Sequence, residues 1–422
     1  MPSRNRRLFC LFDNSIGYID RQKLSMLISS PRNPIETRGG RCMNSKGMAY
    51  SESLQQIEAI KARKTNSAQP KFWFDQNVSG LSKDGKQRLK ELEEEAADMT
   101  SARHVDKKQL RCLQKLKKMK MIVPDFYRQN LGQKQLFRRM QEFCIEHDIP
   151  ESVAVRLIPR FLSFIQTGYM KPVLLIGEAG CGKTTALKLL VEWILKIPVE
   201  KVNVTLESRG RGLSGTDGSY QSASYGIPAR VAFKSNNLLY SLIFDEIDKS
   251  ADHSDRTSLD EELLPLTDKS GGEVYDQYLE NTMVLQHCPI FFTGNDLEKV
   301  NPILADRLEI IHFPDADVPR IKSILHKYAQ KRMLELGYHQ FIHLDYSLLD
   351  EFISDLAVNY KIHSLRKHED MLDNALDKAF LAAMKQESDD IVSVSREILS
   401  EAEMEIIAES TSDNSRRRIG FV

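Results

Sequence analysis

The chain has 422 residues, with 59 Lys and Arg against 59 Asp and Glu, so its formal net charge is zero. That balance excludes a global field drawing the protein to nucleic acid or membrane, and any basic preference has to be local. The length allows two or three domains with ample core.

The six cysteines (Cys10, Cys42, Cys112, Cys144, Cys181, Cys288) stand far apart with no C-x-x-C pair. This excludes a disulfide framework or a zinc site and fits the cytoplasm or another reducing compartment, organelle import being left open. No apolar run approaches the roughly 18 residues of a membrane helix, so a soluble protein with no membrane partner is expected.

Residues 1–42 carry Arg4, Arg6, Arg7, Arg21, Lys23, Arg32, Arg38 and Arg41 against only Asp13, Asp20 and Glu36. Arg-rich, acid-poor leaders include organelle transit peptides. The two aspartates interrupt that pattern, however, and no amphipathic period accompanies it. Residues 1–49 are expected as a disordered leader, with Met43 and Met48 as alternative starts.

Residues 50–132 read as a charged helical region, with helices predicted over 85–99 and 106–121. The second holds Lys107, Lys108, Arg111, Lys115, Lys117, Lys118 and Lys120, with Leu110, Leu113 and Leu116 at helical spacing. Either it is a nucleic-acid or acidic-partner patch, or it is the solvated face of an amphipathic helix. Phe72-Trp73-Phe74 is an aromatic knot, for docking or for local core. Further helices lead from 133 to the next motif, the last over 150–167.

Residues 177–184 read Gly-Glu-Ala-Gly-Cys-Gly-Lys-Thr, a complete G-x-x-x-x-G-K-[ST] loop between the apolar run 172–176 and a helical stretch from Thr185 to Leu195. Gly177, Gly180 and Gly182 permit torsions and close approaches that a Cβ blocks. The exposed N–H groups and the positive end of the helix then form a phosphate site. Lys183 reaches the β- and γ-phosphates, and the Thr184 hydroxyl ligates Mg²⁺. Cys181 and Thr185 complete the expected ATP contacts. Oxidation of Cys181 would block nucleotide, although a small filler is the plainer reading.

From 171 the pattern alternates strands and helices, with strands predicted at 172–176, 201–205, 239–244, 289–293 and 309–313. The expected fold is α/β, a P-loop core over 133–315 with a parallel five-stranded sheet. An all-helical lid over 316–408 (317–335, 346–358, 363–384, 395–408) and a basic tail over 409–422 follow.

The apolar strand Ser241 to Phe244 ends in Asp245-Glu246. Asp245 would hold Mg²⁺ and Glu246 would polarise the attacking water, a division of labour that phosphoryl transfer requires. Another strand ends in Thr293-Gly294-Asn295, where an amide can orient water against the γ-phosphate. Arg307, in Asp306-Arg307-Leu308-Glu309, is placed to reach a neighbouring subunit's γ-phosphate. Alone, it would be read as a surface ion pair with Asp306 or Glu309.

This ordered set followed by a helical lid resembles the AAA+ superfamily. Within it, 134–408 resembles the ATPase module of Lon-type proteases, on Asp245-Glu246-Ile247-Asp248-Lys249, Asp276-Gln277-Tyr278-Leu279 and Asp306-Arg307-Leu308-Glu309-Ile310-Ile311. The resemblance implies ATP and Mg²⁺ as cofactors, a homo-oligomer (most often a hexamer), and Arg307 as an arginine finger acting in trans.

It also implies a lid arginine before the last long lid helix. His363-Ser364-Leu365 stands there instead, and Arg366, three residues on, takes the role or the lid senses nucleotide weakly. The short stretch after 408 leads us to expect no protease domain. Lon-like unfoldases place an aromatic on a pore loop in the Gly/Ser-rich segment 209–228. Tyr225 is the candidate, Tyr220 the alternative, and an ordinary connection equally plausible; Arg209 and Arg211 could instead meet nucleic acid.

Three functions follow: an ATPase ring that unfolds or remodels proteins, a nucleic-acid-associated motor or loader, and an ATP-gated assembly switch.

Overall fold

The computed structural model describes residues 72–75, 78–98, 105–127, 133–207, 212–252, 262–268, 272–386 and 391–419. The expected leader over 1–49, Cys10, Cys42, Arg209 and Arg211 lie outside the described residues. The chain divides between Pro70 and Lys71 into two units, and everything described belongs to the second.

Among the described residues up to 316, seven short runs become strands: β1 (Val173–Ile176), β2 (Val199–Asn203), β3 (Ser241–Asp245), β4 (Glu273–Asp276), β5 (Asn281–Val284), β6 (Ile290–Gly294) and β7 (Glu309–His312). Five of them form a parallel sheet in the order β2-β3-β6-β1-β7. β4 and β5 form a separate antiparallel hairpin. The expected five-stranded parallel sheet is therefore present. The hairpin was not anticipated, because its strands are short and only half apolar.

The central strands are apolar almost throughout because both faces of the sheet are covered. Successive side chains point to opposite faces. Leu174, Ile176, Leu242, Phe244, Ile290 and Phe292 enter one core. Val173, Leu175, Ile243, Phe291 and Ile311 enter another.

The preceding and flanking helices are α1 (Lys83–Ala97), α2 (Lys107–Lys118), α3 (Gln133–Glu146), α4 (Glu151–Thr167), α5 (Lys183–Leu190) and α6 (Ile227–Ser235). Leu89 and Leu92 of α1, Leu113 and Leu116 of α2, and Val231 of α6 share the first core. Met140, Phe143, Leu157, Phe161 and Leu187, from α3, α4 and α5, share the second.

α2 is thus an amphipathic helix seated on the α/β body, capped by Asp106, whose carboxylate accepts from the backbone N–H groups of Lys108 and Gln109. Its cations are exposed. Two are engaged at home: Lys108 Nζ donates to Ala223 O (3.4 Å) and Lys115 Nζ to Phe233 O (3.1 Å). The aromatic knot is local core at Trp73 and Phe74; Trp73 Nε1 donates to Ile165 O (3.1 Å) and its ring packs on Tyr127 and Phe164.

α5 gives way to a single π turn over Val191–Leu195, where an unbroken helix was expected. A helix α7 (Pro302–Arg307) precedes β7, and the lid contains α8 (Val318–Glu335), α9 (Tyr346–Val358), α10 (Leu365–Lys385) and α11 (Arg396–Ile419). It has its own core, including Ile321, Leu325, Ile353, Leu372, Leu376 and Leu399. Two short strands, β8 (Ile342–His343) and β9 (Val392–Ser393), pair in parallel within it. α11 runs beyond the expected end at 408, so Arg416, Arg417 and Arg418 fall inside its helical span.

Candidate active site

β1 delivers the chain into the glycine-rich loop, where Gly177 N–H donates to Gly294 O of β6 (3.3 Å). Gly180 (φ 81°) and Gly182 (φ 99°) occupy the left-handed region that only glycine enters cheaply. A Cβ on Gly180 would also stand 2.2 Å from Ser364 Oγ. Leu365 N–H, at the start of α10, donates to Gly180 O (2.9 Å), so loop and lid are hydrogen-bonded directly.

Lys183 opens α5 and is buried. Its Nζ donates to Gly177 O (2.7 Å), Glu178 O (2.8 Å) and Asn295 Oδ1 (3.1 Å). The tips of β1 and β6 therefore meet through one ammonium group.

Next to it, Thr184 Oγ1 donates to Asp245 Oδ1 (2.6 Å), and the Thr293 hydroxyl donates to the same oxygen. Lys201 of β2 lies 2.6 Å from Asp245 Oδ2. Burial by itself would raise the Asp245 pKa, but bonds from Lys201, Thr184 and Thr293 hold it below the usual carboxylate range. Asp245 is an anion with both carboxylate oxygens engaged.

Glu246 follows with φ 63°, a left-handed conformation unusual for a side-chain-bearing residue and typical of functional sites. This sharp turn at the strand end separates the two carboxylates. Glu246 Oε1 lies 2.7 Å from Lys249 Nζ. These groups line a cleft of about 610 Å³ between core and lid, together with Arg320 and Arg366.

Residues 173–315 match the AAA family, the ATPases associated with various cellular activities. The chain carries a Lon-like AAA+ ATPase module. It is 33% identical over 150 residues to the Lon protease of Clostridium acetobutylicum, covering 33% of this chain and 18% of that one. It is 27% identical over 252 residues to the Lon protease of Mycoplasma mycoides, covering 58% and 31%. A peroxisomal Lon protease homolog 2 of Pichia angusta is 25% identical over 166 residues, covering 39% and 18%. The similarity thus spans between 18% and 31% of the length of these relatives.

Around the AAA+ cleft the remaining sequence candidates separate. Thr185 and Gly182 line it with Lys183 and Thr184, whereas Cys181 is buried beneath, its thiol pKa raised by burial. That environment suits the filler reading of Cys181, because the thiolate is the reactive form.

Arg307 does not line the cleft. Its guanidinium meets Asp268 (2.5 Å) and Leu264 O (3.3 Å), not Asp306 or Glu309. Glu309 is instead held by Arg156 (3.4 Å) and Arg160 (2.6 Å). Arg366 is exposed at the cleft's edge.

Tyr225 is half-buried, packed on Phe233 (5.1 Å between centroids) with Lys108 Nζ 5.9 Å above it. Tyr220 is the exposed aromatic, at 67%, in a stretch where residues 217–222 are all exposed. The base of this loop is fixed by Asp276, whose carboxylate accepts from Gly226 N–H (2.8 Å) and Leu279 N–H (2.9 Å). Burial pushes Asp276 up to about 6.

The sequence reading missed Lys201, Thr293 and Arg320, and also His147, Asp148 and Ile149, which line the cleft from the α3–α4 turn. His147 packs on Phe143 (4.2 Å), whose other neighbour is Trp193 of the π turn (4.2 Å, 16° between planes). The T-G-N run containing Thr293 was visible. Nothing local marks the others.

Oxygen donors at Thr184 and Asp245 suit a hard cation such as Mg²⁺, and among the described residues no cluster of His, Cys, Asp and Glu offers a rival metal site. No described helix is long and apolar enough to cross a membrane.

Proposed function

We propose that the chain hydrolyses ATP within a ring of its own copies and uses the cycle to remodel or unfold protein partners. In this reading 133–315 is the nucleotide-binding domain and 316–408 the lid. The observation that carries it is the joining of three sequence elements in one cleft by the Lys183–Asn295 and Thr184–Asp245 hydrogen bonds.

The loop's backbone N–H groups and the α5 N-terminus receive the phosphates. Lys183 exchanges its carbonyl partners for phosphate oxygens, and Asn295, bonded to that ammonium, holds the water's position relative to it. Glu246 polarises the water, its left-handed backbone turning it away from Asp245. Mg²⁺, held by Thr184 and Asp245, would neutralise charge on the phosphate oxygens. Arg307 completes the site from a neighbouring copy, which is consistent with its standing outside its own chain's cleft.

For the protein-handling loop we favour Tyr220 over Tyr225, because an exposed ring can pack on an extended polypeptide.

The test is steady-state ATPase activity with and without an unfolded protein, single-stranded DNA and duplex DNA, beside Glu246→Gln and Lys183→Ala. Expected are loss of nucleotide binding in Lys183→Ala, binding without turnover in Glu246→Gln, and stimulation by unfolded protein alone. Stimulation by DNA instead would move the function to the exposed cations of α2, and no stimulation by either would favour an assembly switch. For the trans role, mixing Arg307→Ala with Lys183→Ala subunits should restore some activity; a dead mixture rejects it.

A further inference from the structure

Arg320 stands in the first turn of α8, directly after Pro319, yet its side chain turns back to the core. Nε donates to Asp148 O (2.8 Å) in the α3–α4 turn, and Nη2 donates to Cys181 O (3.3 Å) in the glycine-rich loop. The guanidinium lies over the Phe313 ring, 5.1 Å from its centroid. Nη2 is 3.6 Å from the point a Cβ on Gly182 would occupy. The third nitrogen, Nη1, is buried and has no hydrogen-bond partner among the described residues.

This is a half-buried cation whose side-chain hydrogen bonds go to two backbone carbonyls, with an aromatic face beneath it. The neighbouring carboxylates are engaged elsewhere: Asp148 with Lys327 (2.5 Å), and Asp317 with Arg320's own backbone N–H (3.1 Å). Burial accordingly pushes the guanidinium below its ordinary pKa. Nη1 alone has no acceptor, and it stands beside a phosphate-binding loop, so an arriving anion would complete the hydrogen bonding of the fork.

We propose that Arg320, and not Arg366, is the lid cation that reads the nucleotide, with Nη1 reserved for an oxygen of its phosphates. The inference rests on the ATP reading of the cleft. It adds a coupling: a single guanidinium fastens the α3–α4 turn, the glycine-rich loop and the lid. Arriving phosphate supplies the missing anion and tightens all three, and its departure leaves the charge uncompensated and loosens them. Arginine suits the task because its planar fork addresses several acceptors at fixed angles.

The experiment titrates a fluorescent ATP analogue, and ADP by competition, into the full chain and into its Arg320→Ala, Arg320→Lys, Arg366→Ala and Lys183→Ala variants. The nucleotide-induced rise in melting temperature is measured in parallel. Loss of one charge-assisted hydrogen bond should weaken nucleotide binding in Arg320→Ala roughly ten- to a hundredfold. The same variant should lose most of the nucleotide-induced rise in melting temperature. Arg320→Lys should fall between, and Arg366→Ala should weaken binding less than Arg320→Ala does.

Wild-type affinity in Arg320→Ala, or a larger loss in Arg366→Ala, overturns the assignment. Should Arg320→Ala fail to fold, Arg320→Gln keeps an amide donor without the charge and gives the same comparison. If Lys183→Ala abolishes binding while the Arg320 variants do not weaken it, only the Arg320 assignment fails. If Lys183→Ala binds normally, the nucleotide reading of the cleft fails first.

Discussion

The cleft and the loop over 212–226 are built by opposite means. In the cleft, side chains from β2, β3, α5 and the end of β6 bond one another in two adjacent sets: Lys183 with Asn295, and Lys201, Thr184 and Thr293 around Asp245. In the loop, order is concentrated at the base. The Asp276 carboxylate gathers two backbone N–H groups, Tyr225 packs against Phe233, and residues 217–222 stay exposed. A network presets geometry, which suits chemistry on a small charged ligand. The middle of the loop is held only by its own turns, Tyr220 N–H donating to Asp217 O (3.2 Å) and Ala223 N–H to Tyr220 O (3.0 Å), and stays open to solvent.

The largest expected effect comes from breaking the loop's base. Asp276→Ala strands the buried N–H groups of Gly226 and Leu279, which should cost about 2–6 kcal/mol. It should also open the segment near Tyr220 to limited proteolysis before the cleft loses nucleotide binding. Simultaneous loss of both would mean that the two regions are one cooperative unit.

The two tyrosines sharpen the contrast at smaller cost. Tyr225→Ala removes a packed ring and should lower stability by about 2–4 kcal/mol in denaturant melts. Tyr220→Ala should leave the melt where it is and remove only the protein-stimulated part of ATP turnover. The reverse pattern would return the gripping role to Tyr225.

The smallest effect lies in the lid, remote from both regions. Burial and the neighbouring Asp355 push Glu403 up to about 7, from an ordinary 4.5. The native state therefore holds a proton that the unfolded chain releases, and the associated stability is full below about 4.5 and lost as pH rises through about 7. Glu403→Gln should melt higher than the parent at pH 8, with the advantage vanishing towards pH 4. An equal advantage at both would show that the carboxyl is ionised throughout.

Much of the core was legible because its signals are local. The apolar runs that became β1, β3 and β6, the glycine-rich loop and the acid pair at 245–246 each occupy a few consecutive residues whose physics does not depend on distant partners. What was missed depends on topology. Lys201 reaches Asp245 only because β2 pairs in parallel with β3, setting Asn203 opposite Asp245. Arg320 meets Cys181 across 139 residues of chain. The choice between Tyr225 and Tyr220 turns on packing: the spacing from Pro228 marks a place in the sequence, while only the fold shows Tyr225 packed on Phe233 and Tyr220 exposed. The hairpin β4–β5 was invisible because α1 helps hold it, Ser82 N–H donating to Asn281 Oδ1 (2.9 Å) from far along the chain.

The π turn after α5 has an optical consequence. The chain contains two tryptophans, and they occupy contrasting surroundings: Trp73 is 6% exposed and Trp193 is 43% exposed. Trp73 should emit as a constant blue-shifted background. Trp193 stacks on Phe143, which in turn packs on His147 of the cleft wall. The fold thus carries an intrinsic dye linked to the cleft wall through Phe143, and the red edge of its fluorescence should follow cleft occupancy in real time without any label.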